Sequence, residues 1–226
     1  MPNITTNSAP TANATTTATG GSVVAKADTL IAFVLDHSGS MSSVKSQATE
    51  STNLFIREQK AAKGNAKFNL TTFNDTIVEE CHWVDVKDMR FLGSAFMSPN
   101  GGTHLHDAII EVCGSTESRW AVDGKAPKVI ITVLTDGQEN GSLHTKDDVQ
   151  AEIAAKIALG WEFIFLAPDA WSAKWATAIG FQHVLQWDTK KPETMQRAIA
   201  ATSHAIAEAR ETGVLSLEHK ESVIKL

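Results

Sequence analysis

Residues 29–41 read Thr-Leu-Ile-Ala-Phe-Val-Leu-Asp-His-Ser-Gly-Ser-Met, and the junction between Leu35 and Asp36 decides the fold. Residues 30–35 form an unbroken apolar run. A strand with one wet face would alternate, so this one is read as buried on both faces, as in a parallel sheet covered by helices. The run stops at a carboxylate, Asp36. The pattern recurs downstream, where residues 128–135 (Lys-Val-Ile-Ile-Thr-Val-Leu-Thr) form a second buried strand that stops at Asp136-Gly137.

Helical and strand periods alternate around these two runs. Val44, Ala48, Leu54 and Phe55 make a helical stripe that stops near Gly64, a glycine suited to a helix end. Residues 67–73 alternate, and after a turn at Asn74-Asp75 residues 76–84 run back, which predicts a hairpin. Residues 85–102 are irregular. Leu105, Ala108, Ile109 and Val112 then fall at i, i+3, i+4 and i+7 of an amphipathic helix. Val149, Ile153 and Ile157 mark another helix, closing near Gly160, and residues 161–166 a strand. Trp171, Trp175 and Ile179 mark a helix ending at Gly180, with both tryptophans read as core. Residues 184–187 form a short strand. Met195, Ala198, Ile199 and Ile206 stripe the last helix, with Thr202 the one polar residue on that face. Strands separated by helices of a dozen or more residues need crossover connections. The fold class is therefore α/β: a Rossmann-like, three-layer α/β/α arrangement with a mainly parallel sheet and the hairpin strand antiparallel at an edge.

Composition narrows the functional classes. Among 226 residues 42% are hydrophobic, too many for a fully disordered chain, yet no apolar run approaches the ~18 residues of a membrane span. A net charge of −6 without any Lys/Arg cluster argues against a nucleic-acid partner. Cys81 and Cys113 are too few and too isolated for a disulfide framework, and are read as small buried hydrophobes kept reduced. Residues 1–25, rich in Thr, Asn and Ala and uncharged, are expected to be a flexible tail, leaving 26–226 as one domain. The tail lacks the basic start and apolar centre of a signal peptide, so a cytoplasmic location is expected. No Gly-x-Gly-x-x-Gly follows the first strand and there is no P-loop.

Ligands of open α/β sheets bind beyond the carboxyl ends of the strands. Three segments fall there: Asp36-His37-Ser38-Gly39-Ser40, Gly101-Gly102-Thr103 and Thr135-Asp136-Gly137. They bring two loop carboxylates and several hydroxyls, all hard oxygen donors with no thiolate, a set suited to Mg2+ or Mn2+ rather than zinc. Asp36, Ser38 and Ser40 alternate along one loop, so a tight turn at Gly39 can aim all three inward, and Gly101 and Gly102 permit close backbone approach. Helix capping accounts for Ser42 or Ser43 but not for two aspartates that each end a buried strand. His37, His104, His106 and His144 are expected on the rim, His106 bonding beneath a helix start. Asp107 and Glu139 are expected as caps or loop charges, with tuning of a metal from behind as the alternative. His-Ser-Gly-Ser is not a Gly-x-Ser-x-Gly nucleophile turn, and no second carboxylate stands two residues after Asp36 as an aspartyl-phosphate enzyme would want. Binding rather than catalysis is expected. The alternatives are a metal-dependent hydrolase or phosphatase, and a structural phage or assembly component with a vestigial site.

Asp-x-Ser-x-Ser after the first strand, Gly-Gly-Thr before a helix and Thr-Asp-Gly after the fourth strand together resemble the von Willebrand factor type A domain, over roughly residues 28–210. The wording of these segments is most similar to small stand-alone versions from bacteria and phages. The resemblance implies sheet order 3-2-1-4-5-6 with the third strand antiparallel. It also implies a metal-ion-dependent adhesion site of Asp36, Ser38, Ser40, Thr103 and Asp136. The implied ion is Mg2+, with Mn2+ or Ca2+ as alternatives. The serines would ligate it directly, while Thr103 and the aspartates exchange between direct and water-mediated contact. An open coordination position would then receive a carboxylate from a partner protein, such as an AAA+ ATPase or an assembly factor, with binding coupled to a loop and helix shift.

Overall fold

In the computed structural model, which describes residues 29–123 and 127–217, strand β1 (Thr29–Asp36) is buried along its whole length. The expected tail at residues 1–25 lies outside the described residues. β1 pairs in parallel with β2 (Ala66–Phe73) on one side and β4 (Val129–Leu134) on the other. β5 (Glu162–Ala167) and β6 (His183–Gln186) extend the sheet in parallel beyond β4. β3 (Ile77–Asp85) runs antiparallel to β2 at the edge, which gives the order β3-β2-β1-β4-β5-β6. Both the order and the antiparallel edge are as expected.

Alternation along β1 divides its side chains between two cores. Ile31, Phe33 and Leu35 face α1 (Lys45–Ala61) and α5 (Glu193–Thr212), packing with Phe55, Ile199 and Ile206. Leu30, Ala32 and Val34 face α2 (Leu105–Val122), α3 (Lys146–Ala158) and α4 (Ala170–Ala178), packing with Ile109, Ile153 and Ala176. Two-sided burial is what an unbroken apolar strand demands. Among the described residues no helix is long and apolar enough to cross a membrane.

α1 and α5 are also joined by a polar lock. Arg210 is 1% exposed, and its guanidinium donates to the carbonyl oxygens of Gln59 and Gly64, each at 2.5 Å. Gln59 lies in the last turn of α1, where carbonyls lack intrahelical partners, and Gly64 in the connection just beyond it. Gln59 Nε2 in turn donates to the Ser203 carbonyl at 2.7 Å.

Two local expectations are corrected, and the expected hairpin forms with an irregularity. Neither Ser42 nor Ser43 caps α1: a short 3-10 turn, Gly39–Ser43, precedes it, Val44 holds the N-cap position, and Ser42 Oγ donates to the Gly39 carbonyl at 2.8 Å. The hairpin is not regular, because β3 slips register between its pairings with Leu70 and Phe68, and Trp83 takes φ +46° to reach the α2-side core. A bulky residue in that region signals a bulge held by packing. Trp171 is not core: it is 56% exposed, while Trp175, one turn on, is half-buried against the core.

Candidate metal centre

β1 carries Asp36 to the carboxyl edge of the sheet and leaves its side chain fully buried. Its two oxygens are held separately. Oδ1 accepts from Ser38 N at 2.6 Å and Oδ2 from Thr135 Oγ1 at 2.6 Å. The 3-10 turn after Ser38 brings Ser38 Oγ and Ser40 Oγ within 3.0 Å, and Ser40 Oγ donates to Asp136 Oδ1 at 2.6 Å. The loops after β1 and β4 therefore meet through their polar side chains.

Thr103 completes the group from the segment before α2. Asn140 holds it on both sides: Thr103 N donates to Asn140 Oδ1 at 2.8 Å, and Asn140 N donates to the Thr103 carbonyl at 3.1 Å. Gly137 marks the point of convergence. A Cβ on Gly137 would lie 3.3 Å from Ser40 Oγ, 3.3 Å from Thr103 Oγ1 and 3.8 Å from Asp36 Oδ2. Three oxygens from two segments, the one after β1 and the one before α2, thus face one small space that the missing Cβ of the third leaves open. All five residues singled out from the sequence are brought together.

Glycine is required by close approach on the neighbouring loop. Gly39 N donates to the Gly101 carbonyl at 3.1 Å, and Gly101 has φ +72°, where a Cβ would run into Asp75 Oδ2. Asp75, read from the sequence only as a turn residue, accepts from Gly102 N at 2.7 Å and so ties the β2–β3 turn to this loop. The sequence places Thr135 in a strand-end segment and Asn140 on the loop surface near the site, but assigns no supporting role to them or to Asp75. Their role lies in hydrogen bonds to residues 27, 99 and 37 positions away, which no local pattern marks.

Burial pushes the Asp36 carboxyl up to about 6, against the hydrogen bonds from Thr135 and Ser38 and with the help of the Asp136 charge. Burial also raises Asp136, opposed by Ser40. Two partly desolvated carboxylates with few donors favour a cation between them.

Three of the four rim histidines have polar partners elsewhere. His104 Nε2 lies 3.7 Å from Asp75 Oδ1, His144 Nδ1 lies 2.7 Å from Asp107 Oδ1, and His106 Nδ1 lies 2.9 Å from the His144 carbonyl. His37 packs edge-on against Phe96, and burial lowers its pKa. Glu139 accepts from Gly141 N, Ser142 N, Ser142 Oγ and His106 N, and Asp107 from Leu143 N and His144 N. In both, these bonds outweigh burial and hold the carboxyl below its ordinary pKa. They shape the β4–α3 loop, the role expected of caps. Among the described residues no three His, Cys, Asp or Glu side chains form a metal-holding group; the cradle takes three of its five donors from hydroxyls instead.

A doubly covered parallel sheet, an antiparallel edge and a strand-end cradle of Asp, Ser, Ser, Thr and Asp define a Rossmann-like α/β domain with its polar site at the strand termini. The chain belongs to the von Willebrand factor type A domain family, whose sequence model matches residues 31–179. Solved structures share the fold. The von Willebrand factor domain of the type V pili tip protein Mfa5 from Porphyromonas gingivalis aligns with TM-score 0.61 and 11% identity, over 84% of this chain and 99% of that one. A von Willebrand factor type A protein from Catenulispora acidiphila aligns with TM-score 0.57 and 17% identity, over 79% and 43%. Proximal thread matrix protein 1 from the mussel byssus, solved with a zinc-occupied MIDAS motif, aligns with TM-score 0.53 and 15% identity, over 79% and 46%. The chain thus spans under half the length of the Catenulispora and mussel chains. Among curated proteins, none matches it.

Proposed function

We propose that this chain is a divalent-cation-dependent protein-binding domain. Asp36, Ser38, Ser40, Thr103 and Asp136 would hold the ion, and the partner would offer a carboxylate to it. The observation that carries this reading is the space over Gly137, where oxygens of Asp36, Ser40 and Thr103 lie within 3.8 Å of the position a Cβ would take, with Ser40 also bonded to Asp136. The donor set fits the ion: it is all oxygen, with two carboxylates that burial leaves short of counter-charge. Hard donors favour Mg2+, with Mn2+ and Ca2+ as alternatives. The zinc-occupied motif of the mussel protein supports the use of this fold as a divalent-metal holder. Bound there, the ion supplies Lewis acidity toward an acidic side chain.

We infer binding rather than catalysis. The Ser38, Ser40 and Thr135 hydroxyls bond to one another or to Asp36 and Asp136, His144 bonds to Asp107, His106 to the His144 carbonyl, and His104 lies beside Asp75. Among the described residues no cradle hydroxyl is paired with a histidine; Ser40 and Thr135 donate instead to the two carboxylates that would hold the ion.

The test is thermal unfolding of the full chain in MgCl2 and in EDTA, with a pull-down under both conditions. An ion that binds only the folded state stabilises it by about 2.7 kcal/mol at a hundred times Kd. Asp36→Ala is expected to abolish this gain and the Mg2+-dependent capture while leaving the chain folded. Equal unfolding temperatures in MgCl2 and EDTA would overturn the reading.

A further inference from the structure

Asn-Gly occurs twice in the chain, at residues 100–101 and 140–141, and both pairs lie in the loops that hold Thr103. The pair has a chemistry of its own. With no side chain on the glycine, its backbone nitrogen can reach the amide carbon of the asparagine and close a five-membered imide ring. Two things help that closure: a base on the glycine N–H and a donor on the amide oxygen, where negative charge develops.

Asn140-Gly141 has both. Gly141 N donates to Glu139 Oε1 at 2.7 Å, inside the reach of a general base, about 2.6–3.2 Å. Against the pull of burial, bonds from Ser142, His106 and Gly141 keep Glu139 ionised at neutral pH. Thr103 N donates to Asn140 Oδ1 at 2.8 Å, the distance of an oxyanion donor. A backbone N–H can only donate, so the amide oxygen faces Thr103 and the amide nitrogen faces away. Asn140 is exposed, and its Nδ2 has no hydrogen-bond partner among the described residues, so nothing retains it as a leaving group. Asn100-Gly101 is different. Asn100 Oδ1 accepts from Asn74 Nδ2 at 3.1 Å, but Nδ2 is held by the Ser98 carbonyl at 2.9 Å. The nearby carboxylate, Asp75, takes Gly102 N rather than Gly101 N.

We propose that Asn140-Gly141 is a self-modification site, at which the Gly141 backbone nitrogen displaces ammonia from the Asn140 amide with Glu139 as the base. The bond from Gly141 N to Asn140 Cγ forms and the Cγ–Nδ2 bond breaks. The Gly141 proton passes to Glu139 Oε1 and on to the departing nitrogen, which leaves as ammonia. Water then opens the imide at one of its two carbonyls, leaving aspartate or isoaspartate at position 140. No oxidant or further reactant is needed. The consequence for the cradle rests on the cation-dependent reading above. Ring closure removes the Gly141 N–H that Glu139 holds. In the isoaspartate product the carbonyl that accepted from Thr103 N becomes part of a lengthened main chain, so Thr103 loses the clamp on its two sides. The modification therefore switches the cradle off irreversibly as the protein ages.

The test incubates the full chain in EDTA, folded or in concentrated urea, and follows ammonia loss by mass spectrometry of tryptic peptides. Residues 129–146 report on Asn140 and residues 91–119 on Asn100, which serves as an internal reference. In the folded chain position 140 is expected to convert at least about tenfold faster than position 100, a modest share of what a placed base supplies. In urea the two rates should converge. Glu139→Gln should slow position 140 severalfold. Ser142→Ala, which removes a bond to the other Glu139 oxygen, should leave the rate unchanged and so separates loss of the base from loosening of the loop. Position 140 converting no faster than position 100, a difference that persists in urea, or a rate untouched by Glu139→Gln would overturn the site. The effect on the cradle is read separately, as the rise in unfolding temperature on adding MgCl2 to fresh and to aged chain. That rise should shrink in step with conversion. An equal rise in both overturns the switch alone, and no rise in the fresh chain overturns the cation reading while the modification stands.

Discussion

Ser40 Oγ donates to Asp136 Oδ1 at 2.6 Å, joining residues 96 positions apart in sequence and holding the loops after β1 and β4 against each other. In water such a bond would be worth little. Here one partner is a half-buried carboxylate, and charge-assisted bonds are about twice as strong as neutral ones. Ser40 Oγ also faces the space over Gly137, so organisation and candidate ion binding draw on the same atom.

Filling that space is the most direct test of its importance. Gly137→Ala places a methyl group 3.3 Å from both Ser40 Oγ and Thr103 Oγ1. The unfolding temperature in EDTA should change little, while the rise produced by MgCl2 should disappear. Gly101→Ala should behave oppositely. It forces a side chain into φ +72° against Asp75 and should lower the unfolding temperature in EDTA itself.

The raised pKa of Asp36 gives the metal-free chain a pH dependence of defined sign. An unfolded aspartate releases its proton near 3.8, whereas the folded one keeps it to about 6. Below 3.8 the group is neutral in both states and contributes nothing. Between the two values the folded state holds the extra proton, so stability falls as pH rises, reaching a cost of about 3 kcal/mol above pH 6. In EDTA, unfolding temperature should therefore decline from pH 4 to 7, and Asp36→Asn should flatten the decline. MgCl2 should restore most stability at neutral pH and little at pH 4, because the ion needs the ionised carboxylates.

Asn140 is expected to act on the ion without touching it. Asn140→Ala removes the acceptor for Thr103 N but keeps the backbone bond to the Thr103 carbonyl. Mg2+ affinity measured by calorimetry should fall about tenfold, in line with other residues that orient ligands, and Asn140→Asp should recover part of it.

Arg210 tests the fold rather than the site. Arg210→Ala leaves the Gln59 carbonyl in the last turn of α1 and the Gly64 carbonyl just beyond it without their buried donor. Urea unfolding should show a loss of about 3 kcal/mol. Arg210→Lys should fail to rescue it, since one ammonium lacks the fork that reaches both carbonyls.

Much of this was legible from order and period alone. The unbroken apolar run in β1, the alternation in β2 and the i, i+3, i+4 spacing in α2 placed their elements, because those repeats follow from which side chains share a face. Asp36 and Asp136, each ending a buried strand, and Gly101-Gly102 before Thr103 marked the cradle. Trp171, Trp175 and Ile179 show where period fails. Their spacing puts them on one stripe, yet Trp171, in the first turn of α4, is left 56% exposed.

The sequence by itself determined the α/β alternation, the family and the residue types at the strand ends, since each is written in neighbouring positions. Only the tertiary structure decided that Asp75, Thr135 and Asn140 hold the loops, that Trp83 bends into a bulge, that Arg210 is buried on backbone oxygens and that Trp171 is left exposed. Each of these depends on carbonyls, amides and surfaces supplied by distant segments, and a backbone acceptor has the same chemistry whatever residue carries it.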